Sequence, residues 1–172
     1  MKKVVLTFGV LSGVSSAAMM AATVPFIEQI GFDRGVFVGY TAIVISLLFV
    51  YFGTRSYRDN VLGGQITFGR AFQAGILITL ISCAFYVAAW LVIYYNFMPD
   101  FGDRYAAHLV SELQAQGASQ AEIDDMIKRG EDAKRLLANP LTNAAVTFTE
   151  PFPVGLIMTL ISSAMLKKQE KN

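Results

Sequence analysis

The chain has 172 residues, of which 54% are hydrophobic and only 16% charged, with a formal net charge of +1. Soluble domains carry about a quarter charged residues, and a near-neutral chain lacks the basic excess that draws nucleic acid. Composition therefore excludes an ordinary water-soluble domain and argues against a nucleic-acid partner. The apolar excess falls in four blocks, residues 4–25, 36–53, 71–95 and 141–166, each near the roughly 20 residues that a spanning helix needs. The expected fold is all-α, an integral membrane four-helix bundle forming a single membrane domain over 1–172. An extramembrane helical hairpin over 100–139 is expected between helices 3 and 4.

The first block follows Lys2 and Lys3. With Ser15, Ser16 and Ala17 it could pass for a cleavable signal peptide. Its apolar run continues through Ile27, however, which favours a retained helix and leaves cleavage as the alternative. Gly9, Gly13, Ala17 and Ala21 form a stripe at every fourth position, and such small residues let helices approach closely in lipid. The second block repeats the device with Gly35, Gly39 and Ala42.

Between helices 2 and 3 lie Arg55, Arg58 and Arg70 against one acid, Asp59. Bases concentrate beside cytoplasmic helix ends, and the same three arginines are candidates for contacts with anionic lipid headgroups. The third block carries Ala71, Gly75, Thr79 and Cys83 on one stripe. Cys83 is the only cysteine, so it is expected as a small packing residue with no intrachain disulfide. Trp90, Tyr94 and Tyr95 follow where an aromatic belt would sit.

The segment 100–139 holds eight acids and five bases. Asp100 or Asp103 is expected to cap a helix with Phe101, Tyr105, Leu109 and Leu113 on one face, ended by Gly117 in a left-handed turn. Ser119 and Glu122 have capping-box spacing, and Ile123, Met126, Ile127 and Leu137 mark the second apolar face. Asn139 and Pro140 suit the cap and first position of helix 4. This segment is expected either to cover the bundle or to dock a partner. His108, the only histidine, has no Cys or His beside it and is expected as a surface helix residue.

The fourth block begins with the stretch TFTEPFPVGLIMTLISSA at 147–164, which matches TFGRAFQAGILITLISCA at 67–84 in nine of eighteen ungapped positions. Pro151 and Pro153 cannot donate amide hydrogen bonds. They should free the carbonyls of Thr147 and Thr149 and push Glu150 and Phe152 off helical angles. Glu150 is then a carboxylate beside a broken helix, and ionisable residues inside membranes are functional candidates. Lys167, Lys168 and Lys171 follow, against Glu170. The charges predict both termini in the cytoplasm and 100–139 outside. Helices 3 and 4 would then run the repeat in opposite directions, as an inverted repeat.

The runs SYRDNVLGGQITFGRAFQAG and NPLTNAAVTFTEPFPVGLIMTLISSAMLKK resemble the small bacterial membrane proteins grouped as domain of unknown function 4199, common in Bacteroidota. The resemblance covers nearly the whole chain, implies a four-helix inner-membrane protein, and brings no catalytic residues with it. Catalytic, cofactor and metal motifs are not found in the sequence. A non-enzymatic subunit or accessory of a membrane system is expected, partnered by the bilayer and by a homo-oligomer or another membrane protein. The alternative is a small oligomeric transporter or channel built on Glu150, Pro151 and Pro153.

Overall fold

The computed structural model describes residues 1–168, all helical apart from short connections; Glu170 and Lys171 lie outside the described residues. In chain order the elements are α1 (Lys2–Thr23), a 3-10 turn (Val24–Phe26), α2 (Ile27–Ile30), α3 (Phe32–Val61), α4 (Phe68–Phe97), α5 (Phe101–Ala115), α6 (Gln120–Ala138), α7 (Pro140–Phe148) and α8 (Pro151–Leu166). Four stretches, Lys2–Phe26, Phe32–Val61, Phe68–Phe97 and Pro140–Leu166, are long and apolar enough to cross a membrane. The second runs well past the expected 36–53, whereas the third extends only two or three residues beyond 71–95 at each end. Apolar composition stops at the lipid boundary, whereas backbone hydrogen bonding continues through polar turns such as Arg55–Asp59.

The packing is inside out relative to a soluble bundle. Large apolar side chains face outward, among them Leu6, Phe37 and Ile157 at 57, 75 and 56% exposure. The interior holds Ser12, Ser46, Thr79, Ser82, Thr159 and Ser163, along with Leu47, Val50, Ala74, Ile78 and Cys83. Lipid gives helices no hydrophobic reason to associate, so small residues and polar contacts decide where they touch.

Helix α1 lies along α4 in the same direction, with Gly9 against Ile81 and Gly13 against Phe85. A Cβ on Gly13 would stand 2.5 Å from Phe85 Cβ. The Ser12 hydroxyl donates to the Ser46 carbonyl at 2.8 Å and lies 2.8 Å from the Ser82 hydroxyl, joining α1, α3 and α4. Helices α4 and α8 run antiparallel. Gly75 faces Thr159 and Gly155 faces Thr79, and the two threonine hydroxyls are 3.0 Å apart.

At the end that carries Met1 and Lys168, Thr67 caps α4 by accepting the Arg70 amide at 3.3 Å. Ile66 and Lys168 exchange backbone hydrogen bonds at 3.0 Å. Arg58 donates to Asp59 at 2.6 Å and to the Leu166 carbonyl at 3.4 Å, while Arg55 stands 3.5 Å from the same aspartate. Of the three candidate lipid-binding arginines, Arg58 thus joins α3 to the end of α8, while Arg55 pairs within its own helix. Arg70 is exposed at the start of α4.

The distal end carries α5 and α6, which pack on each other. Asp100 sits at the cap position of α5 without a side-chain hydrogen bond. Asp103 makes no cap either; it pairs with Lys134 at 2.7 Å across the two helices. Gly117 turns at φ 74°, a region open chiefly to glycine. Ser119 and Glu122 form the reciprocal capping box, and Asn139 Oδ1 accepts the Leu141 amide at 2.9 Å just before Pro140.

Replacing Gly155 by Ala drives a Cβ to 2.3 Å from Thr79 Cγ2, whereas one at Gly39 meets nothing within 4 Å. Overpacking costs about 1–3 kcal/mol, so Gly155→Ala should lower unfolding stability in detergent by that amount while Gly39→Ala leaves it unchanged. Ser119 donates from its hydroxyl and amide to Glu122, holding that carboxyl below the usual glutamate range. Its stabilisation is present above the ordinary glutamate value and lost as pH falls through the lowered one. Lys134, bonded to Asp103, is raised and acts oppositely, contributing below the ordinary lysine value and fading as pH rises through the raised one. Protection of the first-turn amides of α6, taken relative to the intrinsic exchange rate at each pH, should fall on acidification in the unmodified chain but not in Glu122→Gln.

Candidate functional site

The segment between α7 and α8 breaks as the two prolines require, though more gently than the sequence implies. The Glu150 amide bonds the Thr147 carbonyl at 3.2 Å, so that oxygen is not left free. Glu150 keeps helical angles, φ −80° and ψ −60°, and Phe152 lies within α8. The bias before a proline is overcome because Pro151 and Pro153 occupy the first turn of a new helix, where amides have no intrahelical acceptor. The result is a short tight turn with the Glu150 side chain projecting from it.

Glu150 Oε2 accepts a hydrogen bond from the Tyr86 hydroxyl at 2.8 Å. Tyr86 lies on α4 seven residues beyond Thr79, about two turns, and Glu150 lies five before Gly155. The α4–α8 contact therefore sets this pair. Sequence reading singled out Glu150 and missed Tyr86, whose only signal is a hydroxyl one turn before Trp90 in an apolar helix.

Glu150 and Tyr86 open into a cavity of about 400 Å³ at the distal end. Its wall is rich in aromatic rings, with Tyr40, Trp90, Phe101 and Tyr105 joining Tyr86, and Glu150 is the one acid among the described lining residues. Gly35 and Gly39 also line it. These glycines were expected to pack helix against helix. Instead an added Cβ at Gly39 would meet open space, and one at Gly35 only Ile27 Cδ1 at 3.4 Å. Their missing side chains make room.

Trp90 is held by Asn143, whose Oδ1 accepts from the indole at 3.1 Å and from Thr147 at 3.1 Å, while its Nδ2 donates to the Leu137 carbonyl at 3.2 Å. Asn143 is fully buried. The roof comes from α5, where Phe101 and Tyr105 lie edge-on to Phe32 at centroid distances of 5.9 and 5.5 Å. The Phe101 face of α5 thus covers the bundle. Beside this roof, His108 Nε2 lies 3.3 Å from Asp33 Oδ1 and 3.9 Å from Glu112 Oε2, a grouping invisible in the sequence because Asp33 is 75 residues away.

A family model described as "Protein of unknown function (DUF4199)" matches residues 7–168. No curated protein and no solved structure matches the chain. Asn143→Ala should leave the Trp90 indole and the Thr147 hydroxyl short of a partner, while the Leu137 carbonyl keeps the Tyr95 hydroxyl. Each unsatisfied buried group costs about 1–3 kcal/mol. Unfolding followed through Trp90, the sole tryptophan, should report a loss of at least that size with an altered native emission.

Proposed function

The chain belongs to the DUF4199 family, whose function is unknown, and from that starting point we propose a non-enzymatic inner-membrane accessory protein that binds a small amphipathic cation at its distal end. The observation that carries this reading is one accessible carboxylate, Glu150, set in a wall of aromatic rings around about 400 Å³. Ligand pockets are concave, largely apolar and orient their ligand with a few polar groups. An ammonium group gains from a carboxylate and from aromatic faces alike, while an apolar tail is served by Met20, Val24 and Val36.

The charge distribution supports the orientation. Lys2, Lys3, Arg55, Arg58, Arg70, Lys167 and Lys168 gather at the end that carries Met1, and the acidic 100–139 segment lies at the other. By the positive-inside rule the termini are cytoplasmic, residues 100–139 are the periplasmic helical hairpin, and the cavity faces outward in a bacterial inner membrane.

The oligomeric transporter or channel reading draws on a different observation. Positions 75 and 155, and 79 and 159, are equivalent in the repeat, and the contacts Gly75–Thr159 and Gly155–Thr79 exchange under that equivalence. The hydroxyl pair Thr79–Thr159 would then lie on a local two-fold axis in the membrane plane, as in inverted repeats. Below the cavity, however, Leu47, Val50, Ile78 and Ala74 are at most 1% exposed. A packed floor suits a binding protein better than a passage.

A short-chain alkyltrimethylammonium ion, too charged to cross lipid readily, should change Trp90 emission saturably when added outside right-side-out vesicles. Glu150→Gln and the cavity-filling Gly39→Leu should each weaken binding at least tenfold, and Arg70→Gln should not. Equal binding by the chain and by both cavity variants, or a response only after the vesicles are opened, would overturn the reading.

A further inference from the structure

The approach of Asp33, His108 and Glu112 carries a second site. Asp33 stands in the first turn of α3, just after the Gly31 turn. His108 and Glu112 are one turn apart on α5, so their side chains project from the same face. One ligating atom from each of the three lies within 4.8 Å of the other two. The imidazole is fixed from behind by the Phe32 ring, 5.1 Å away between centroids. It is partly shielded at 27% exposure, whereas Asp33 is open at 73%. All three sit at the distal end, Asp33 in the first turn of the Phe32–Val61 span and His108 and Glu112 on α5 beyond the spans, and the exposed Asp33 lets an ion in water reach them.

We infer that Asp33, His108 and Glu112 form a binding site for a divalent transition metal, with Zn²⁺ the best match. One imidazole and two carboxylates are ligands that Zn²⁺ accepts with bonds of about 2.0–2.2 Å, and three protein ligands leave a fourth position for water. Tetrahedral bonds of that length put ligand atoms about 3.3–3.6 Å apart. The His108–Asp33 distance already has that value, and His108–Glu112 at 3.9 Å needs only a small rotation of the half-buried glutamate. Mg²⁺ and Ca²⁺ prefer oxygen ligands alone, so the imidazole selects against them. A bound ion would join α5 to the start of α3. Phe32, next to Asp33, and Tyr105, one turn before His108, both line the neighbouring cavity, so the metal would also fasten the roof of that cavity. Metal binding itself does not rest on the ligand proposed above.

The experiment is calorimetric titration of the full chain in nanodiscs with Zn²⁺, and with Mg²⁺ as the comparison. Stoichiometric Zn²⁺ binding is expected, with affinity at least tenfold weaker in His108→Ala and in Asp33→Asn, and unchanged in Asp125→Asn, an exposed carboxylate on α6. Co²⁺ should give the intense visible absorption of a four-coordinate site in the unmodified chain and lose it in His108→Ala. Hydrogen exchange across 105–112 should slow when Zn²⁺ is added, but not in His108→Ala. The inference is overturned if His108→Ala binds Zn²⁺ as the unmodified chain does, if Mg²⁺ binds equally well, or if Zn²⁺ binds only to scattered surface carboxylates. Far-ultraviolet circular dichroism matching the unmodified chain separates lost ligation from lost folding, and Glu112→Gln then repeats the test at the third ligand.

Discussion

Apolar side chains gain nothing by leaving lipid for one another, so α4 and α8 are held by how near their backbones come and by the polar groups that nearness unites. Gly75 and Gly155 permit the approach, and Thr79 and Thr159 each fill the hollow left by the opposite glycine. The threonine hydroxyls meet there, and Thr79 also donates to the Gly155 carbonyl at 3.3 Å. Each such hydrogen bond adds only about 0.6 kcal/mol in lipid, yet together with the steric fit they admit one register. That register puts Tyr86 beside Glu150, and the cavity wall follows from it.

The distal end relaxes the rule that governs the rest of the bundle. Between the cavity and the Met1 end, Gly9, Gly13 and Gly53 are covered by neighbours, Gly53 by Ile78 and Phe8. Around the cavity, Gly39 is not covered and Gly35 meets only Ile27, while Trp90 of α4 and Phe101 of α5 meet edge-on at 5.2 Å. What keeps this region from collapsing is its polar framework. The Asn143 amide ties Trp90 to α7, the Tyr95 hydroxyl donates to the Leu137 carbonyl at 2.8 Å, and Lys134 joins α6 to α5. A site built on such supports is pre-organised, because the groups facing a ligand are already held by others behind them.

Much of the architecture was legible because it rests on local or compositional signals. The four apolar blocks, the Ser119–Glu122 capping box, the Gly117 turn and the Asn139–Pro140 start each depend on residues within a few positions of one another. Glu150 stood out as an acid in an apolar run. Its partner did not, since nothing local says that a tyrosine 64 residues earlier faces it. Glycine stripes misled at Gly39 for a physical reason: a missing side chain serves close contact and open space equally well, and only the neighbouring helix decides between them. The ion-pair role of Asp103 was hidden in the same way, because its partner Lys134 lies on the following helix.

The shared register of α4 and α8 also constrains how the molecule is made. Synthesis proceeds from the N-terminus, so α1, α3 and α4 exist well before α8 leaves the ribosome. Until then the groove at Gly75 and the Thr79 hydroxyl have only lipid or neighbouring helices to meet, and the polar stretch from α5 through α6 must first find its place beyond the bundle. The sixteen-residue helix α8 therefore completes a half-formed seam, and the Ile66–Lys168 pairing just beyond it closes it like a clasp. The surroundings of the carboxylate therefore wait on the docking of α8.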